Sequence, residues 1–144
     1  MDDGVGVEQV VEQVELAAAA GVAEGTIFKV FTDKDDLLLA DAVVHAPSGL
    51  STTSAEEEKE VWRAALAAMP DLRHDVQEVL VDGDVEMARV VVTGTMAGTF
   101  GGVEGTGRRF RIDQAVITHL RDGKVFEAWE IADIAALRDQ VGDD

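Results

Sequence analysis

The sequence predicts an α+β protein, with helices first and a curved, meandering antiparallel sheet second. Three observations carry this. Apolar residues recur at helical spacing in the first half of the chain. From Val76 onward the pattern changes to runs rich in β-branched residues. Two Asp-Gly pairs, Asp82-Gly83 and Asp122-Gly123, sit between such runs and mark hairpins. Helices followed by strands place the helices on one face of the sheet. At 144 residues the chain suits one domain with a real core.

The elements follow in order. Val7, Val10, Val11 and Val14 mark a first helix, which Gly21 caps. A second piece carries Ile27, Val30 and Phe31. Thr32 caps a third, with Asp33, Asp35 and Asp36 in its first turn and residues 37–39 as its apolar face. Val43-Val44-His45 is a short extended run stopped by Pro47, and Gly49 to Ser54 is a loop. Ser54 with Glu57 forms a capping box. The helix behind it stripes Trp62, Ala65, Leu66 and Met69, and Pro70 ends it. Four strands are expected over Val76 to Val81, Val85 to Thr95, Phe110 to Leu120 and Val125 to Ile131. The glycine-rich stretch from Gly94 to Gly107 joins the second and third. Asp133 caps a last short helix through Ile134, Leu137 and Val141.

Composition excludes several classes of function. The net charge of −17 disfavours nonspecific binding to nucleic acid or anionic membranes. The absence of cysteine rules out disulfides and thiolate metal sites. The acidic N-terminus lacks the pattern of a signal peptide, and no apolar run reaches membrane-spanning length, so a cytoplasmic protein is expected. No histidine pair stands at ligand spacing, and no phosphate loop or nucleophilic triad is visible. No metal and no cofactor are expected. The acidic clusters at 33–36 and 56–60 read as solvated helix starts.

The hairpin RRFRIDQAVITHLRDGKVFEAWEIAD, residues 108–133, carries the candidate site. A two-residue type I′ turn at Asp122-Gly123 pairs Arg121 with Lys124 and fixes the register. With a regular ladder, one face carries Ile112, Gln114, Val116, Thr118 and Leu120, opposite Asp133, Ile131, Trp129, Glu127 and Val125. Few polar groups on an apolar wall suit a small-molecule pocket. Ile112, Val116, Trp129 and Ile131, with His45 and Trp62, are the candidate ligand-binding residues. Gln114 is placed to orient a substrate carbonyl. Asp133 reads equally as helix cap and as pocket acid, and burial beside Trp129 would raise its pKa towards a general base's range. Glu127 is expected to be solvated near the hairpin end. His119, on the other face with Phe126, suits a surface or interface. His74 reads as exposed on a strand edge, and Arg89 as one half of an ion pair on the sheet face.

Two stretches resemble known families. PDLR at 70–73, VTGTMAGTFGG at 92–102, TGRRF at 106–110, RDGK at 121–124 and EAWEIAD at 127–133, with VVHAPSG at 43–49 upstream, resemble SnoaL-like polyketide cyclases of the nuclear transport factor 2-like superfamily over about 42–142. The resemblance implies a cone-shaped α+β barrel with a deep pocket, commonly a homodimer. It also implies an acidic base for an intramolecular aldol closure, a role that falls on Asp133. Val116 and Met96 stand where many relatives place an acid or a histidine, so a pocket that binds without catalysing fits as well. Residues 15–40, ELAAAAGVAEGTIFKVFTDKDDLLLA, resemble the helix-turn-helix of TetR-type repressors, with residues 24–30 entering the major groove. Against a DNA reader, residues 1–45 carry Lys29 and Lys34 as their only basic side chains beside ten acids.

The expectation is one SnoaL-like domain over 1–144, with a helical segment at 1–41 and a barrel core at 42–144. It would bind a small apolar or carbonyl-containing ligand and act as a cyclase-like lyase or isomerase if catalytic. The alternatives are a DNA-binding regulator using residues 15–40 and a non-catalytic dimerisation domain.

Overall fold

A computed structural model describes residues 38–142. Five strands and two helices run β1 (Leu38–His45), α1 (Ala55–Ala68), β2 (Arg73–Asp82), β3 (Val85–Thr95), β4 (Arg109–Arg121), β5 (Lys124–Ala132) and α2 (Ile134–Val141). The fold is α+β, with a curled sheet in the order β1-β5-β4-β3-β2. The three hairpin-linked pairs are antiparallel, whereas β1 lies parallel to β5, so the sheet is mixed. Residues 38 and 39, expected at the end of a third helix, open β1 instead. The three expected N-terminal helices and the helix-turn-helix-like segment lie outside the described residues. The described helix on the concave face is α1, and its core contacts run through Ala65 and Ala68.

Local chemistry explains the boundaries. Ser54 caps α1, its Oγ accepting from the Glu57 amide at 3.1 Å. The Glu57 carboxylate reaches back one residue further than a capping box requires and accepts from the Thr53 amide at 2.7 Å. The Met69 amide closes the helix on Ala65 O, and Pro70 follows. At the β4–β5 turn, Asp122 and Gly123 both have positive φ, as a type I′ turn demands. In the β2–β3 turn Asp82 pairs with Val85, so the central residues are Gly83-Asp84, with positive φ at Gly83 alone. That is the II′ pattern, one residue along from the expected Asp-Gly turn.

Besides a register shift in β1 between Leu38 and Val43, two single-residue bulges bend the sheet. Gln77 is unpaired in β2, between Val76↔Val90 and Glu78↔Arg89. Phe126 is the extra residue of β5, since Leu120 faces Val125 but His119 faces Glu127. Each adds one residue to one strand, which bends the strand and increases its twist. The core fills the concave side, with Ala88, Val90, Val116, Val125 and Ala128 fully buried. The glycine-rich connection over 96–107 is ordered by hydrogen bonds to the end of α1 and within itself. The Ala97 and Gly98 amides donate to Ala68 O, and the Gly107 amide donates to Met96 O. Asp71 ties the same end together by accepting from both the amide and the hydroxyl of Thr95.

Candidate functional site

A half-open cavity of about 120 Å³ lies between the concave sheet face, α1, the glycine-rich connection and α2. Its walls are mainly apolar, with Leu72, Met96, Phe110 and Ile112 among them. Polar side chains also line it: Ser48 from the loop after β1, Glu58 from α1, His74 from β2, Gln114 from β4 and Glu130 from β5.

The Phe126 bulge decides which acid enters. The expected ladder had no bulge and paired Gln114 with Ile131 and Val116 with Trp129. The observed ladder pairs Gln114 with Ala132, Val116 with Glu130 and Ile117 with Trp129. Side chains alternate across a strand, so a one-residue shift exchanges the two faces of everything beyond it. Trp129 and Ile131 therefore leave the cavity wall, and Glu130 and Ala132 take their places.

The sequence candidates divide accordingly. Gln114, Ile112 and Trp62 line the cavity. Val116 is fully buried in the core beneath it. Trp129 lies on the outer face, stacked on His45 at 5.1 Å and tilted against His119 at 4.9 Å. His45 Nε2 is 2.7 Å from a Glu127 carboxylate oxygen, so that pair also sits outside. Ile131 is 59% exposed. Asp133 is exposed, and its Oδ1 accepts from the Ala136 amide at 3.0 Å as the cap of α2, away from the cavity lining. Arg89 pairs with Glu78 at 2.9 Å, the ion pair expected of it. His74, expected to be exposed, is 9% exposed, because the edge strand β2 turns that side chain inward against Trp62.

The polar groups of the cavity are under electrostatic strain. Burial pushes the Glu130 carboxyl well above the usual carboxylate range, and the nearby charge of Glu58 adds to it. Part of the Glu130 residue remains accessible, but its Oε2 has neither solvent contact nor a hydrogen-bond partner. Glu58 is 4% exposed, and burial raises its pKa. Hydrogen bonds from the Thr52 hydroxyl, at 2.8 Å, and from Trp62 oppose that shift. Burial lowers the His74 pKa to about 4, only partly offset by Asp75, so its ring is neutral near pH 7. His74 Nδ1 and Gln114 Oε1 also lack partners. Unpaired buried polar atoms cost free energy unless a ligand or water meets them.

Sequence reasoning missed Glu58 and Glu130. For Glu58 a signal existed: positions 58, 62, 65 and 69 continue the Trp62 stripe one turn back. For Glu130 the bulge was decisive, and no local residue announced it.

A curled mixed sheet closed over a mainly apolar cavity by a short helix defines a class of α+β pocket proteins. The comparisons name the family. The model of the SnoaL-like polyketide cyclases matches residues 30–141, and the chain belongs to that family. The model of bacterial regulatory proteins of the tetR family matches residues 4–40. Among solved structures, AclR from Streptomyces galilaeus, a proposed hydroxylase, is 25% identical with a TM-score of 0.71. That match covers 93% of this chain and 98% of AclR. IdmH from Streptomyces antibioticus, a proposed polyketide cyclase, is 27% identical with a TM-score of 0.68, covering 94% of this chain and 97% of IdmH. TsrD from Streptomyces laurentii, at 24% identity and a TM-score of 0.72 over the full length of both chains, shares the fold. No curated protein sequence matches.

Proposed function

We propose that this protein binds a small, largely apolar carbonyl compound and performs acid–base chemistry on it, of the aldol-cyclisation or isomerisation type. Glu130 carries the proton, and Gln114 orients the ligand. The observation behind this is the Glu130 carboxyl: buried, without a partner at Oε2, and set in an apolar wall. A carboxyl held above its ordinary pKa can exchange a proton near neutral pH. Family membership and the likeness to IdmH support the reaction class. Asp133, the acid first assigned as base, is better suited to capping α2.

The chain has two tryptophans, and Trp62 lines the cavity while Trp129 does not. In a Trp129→Phe variant, fluorescence therefore reports on the cavity wall. A panel of small aromatic ketones should quench it saturably. Glu130→Gln should keep that binding and lose turnover. A panel with no saturable quenching, or full turnover in Glu130→Gln, would remove the proposal.

The proposal includes one domain over 1–144, a cytoplasmic location and a homodimer through the outer sheet face. A row of apolar side chains crosses that face from Leu80 to Met87, Ile117 and Trp129, with Ile131 beside it. Ile131→Glu with Met87→Lys should yield monomers in sedimentation if this face pairs. Among the described residues, no helix is long and apolar enough to cross a membrane.

A second reading has one specific observation in its favour, the tetR-family match at 4–40. The acidity of that segment argues against it. DNA binding at low salt, with a steep salt dependence, would favour the regulator.

A further inference from the structure

The cavity holds two buried carboxyls, one fixed by hydrogen bonds and one with a free oxygen. Glu58 is anchored on α1 by the Thr52 hydroxyl at 2.8 Å and by Trp62 one turn along the helix. Thr52 is itself fixed, its backbone paired in both directions with Val44 of β1 at 2.9 and 3.0 Å. Glu130 enters from β5 with no partner for Oε2. We propose that Glu58 is a positioning residue. The two glutamates hold a single proton between them, Glu58 keeping the negative charge and Glu130 the proton.

The division follows from the hydrogen bonds. Donors aimed at a carboxylate stabilise its charged form, and Glu58 has two. A buried carboxyl without donors is stable only when neutral. Two carboxyls that share one apolar site do not both ionise readily. Other groups facing Glu130 do not alter this. His74 from β2 is neutral, Gln114 from β4 does not titrate, and α2 and β3 present Ile134, Leu137 and Val92. Glu130 thus meets its ligand as a hydrogen-bond donor. The ligand group that fits is a neutral acceptor such as a ketone or aldehyde oxygen. A carboxylate would face the Glu58 charge with no cation among the cavity-lining residues to answer it.

This inference rests on the proposed function for its meaning but not for its test, which needs no ligand. Glutamate labelled with ¹³C at Cδ allows both carboxyls to be titrated by NMR, with assignments from Glu58→Gln and Glu130→Gln. In the unmodified protein each resonance should show two steps, because each senses the other's ionisation. In Glu58→Gln the Glu130 midpoint should move to lower pH. In Thr52→Val, which removes one donor, the Glu58 midpoint should move to higher pH. Independent single-step curves, or a Glu130 midpoint unchanged in Glu58→Gln, would overturn the pair and leave burial as the sole cause. If Glu58→Gln does not fold, the two-step curves and Thr52→Val decide. A confirmed pair in a protein that binds no ketone would refute the proposed function alone.

Discussion

Acidification should weaken this fold through His74. The ring is buried against Trp62, and its pKa is about 4 when folded, against an ordinary value of 6.5. The folded pKa lies below the unfolded one. The stability it contributes is therefore complete above pH 6.5 and falls as pH drops towards 4, because the unfolded chain takes up the proton first. At pH 5 the unfolded ring is almost wholly charged and the folded ring almost wholly neutral, a loss of about 2 kcal/mol. That pH stays above the isoelectric point of 4.3, where loss of net charge promotes precipitation. Glu58 and Glu130 act in the opposite direction, since their raised values add stability as pH falls. The measurement must therefore be a difference. Urea unfolding of the unmodified protein and of His74→Phe should be compared at pH 7.5 and pH 5. The unmodified protein should lose roughly 1 M more in urea midpoint than the variant between the two. Equal losses would mean that His74 titrates normally and is not sealed from water.

Further outcomes are expected. Glu130→Gln should gain stability over the unmodified protein as pH rises above the ordinary carboxyl value of 4.5, because the unfolded chain releases that proton while the buried carboxyl holds it. Thermal melts at pH 6 and pH 9 should show that advantage growing with pH. Gly105→Ala should cost about 2–3 kcal/mol in urea unfolding, because its Cβ would stand 2.6 Å from the Gly98 carbonyl carbon and 2.7 Å from Ala97 O. A loss below about 0.5 kcal/mol would mean that the connection is looser than described. Deleting Phe126 removes the extra residue of β5 and leaves an unbroken ladder, with Glu127 still opposite His119 and Trp129 still opposite Ile117. That protein should keep a cooperative transition in urea unfolding, and loss of the transition would mean that Phe126 is not the extra residue of β5. Ser54→Ala should cost about 1 kcal/mol by uncapping α1.

The strands from β3 to β5 were legible because alternation and Asp-Gly turns are local signals. The face of β5 was not. Trp129 and Ile131 look more like core than Ala128, Glu130 and Ala132 do, so hydrophobicity favoured the regular register. The outer face is itself apolar, with Trp129 covered by His45 and His119, and that removes the contrast on which alternation depends. The position of β1 was hidden for another reason. Its partner lies across the whole sheet sequence, and composition carries no trace of parallel pairing. Glu58 was legible in principle and was obscured by the charges around it at Glu56, Glu57 and Glu60.

The parallel seam between β1 and β5 also sets an order of events in folding. His45 and Glu127 are 82 positions apart, whereas each antiparallel pair closes on a neighbour in the chain. Closing a long loop costs more entropy before any contact rewards it, so the β2–β5 meander should assemble first and β1 should dock onto a finished edge. Amides of residues 43–45 should then gain protection last in pulse-labelled refolding. The loop at 46–50, which borders the cavity, follows directly from this strand. The ligand site would therefore be completed only in the final folding step.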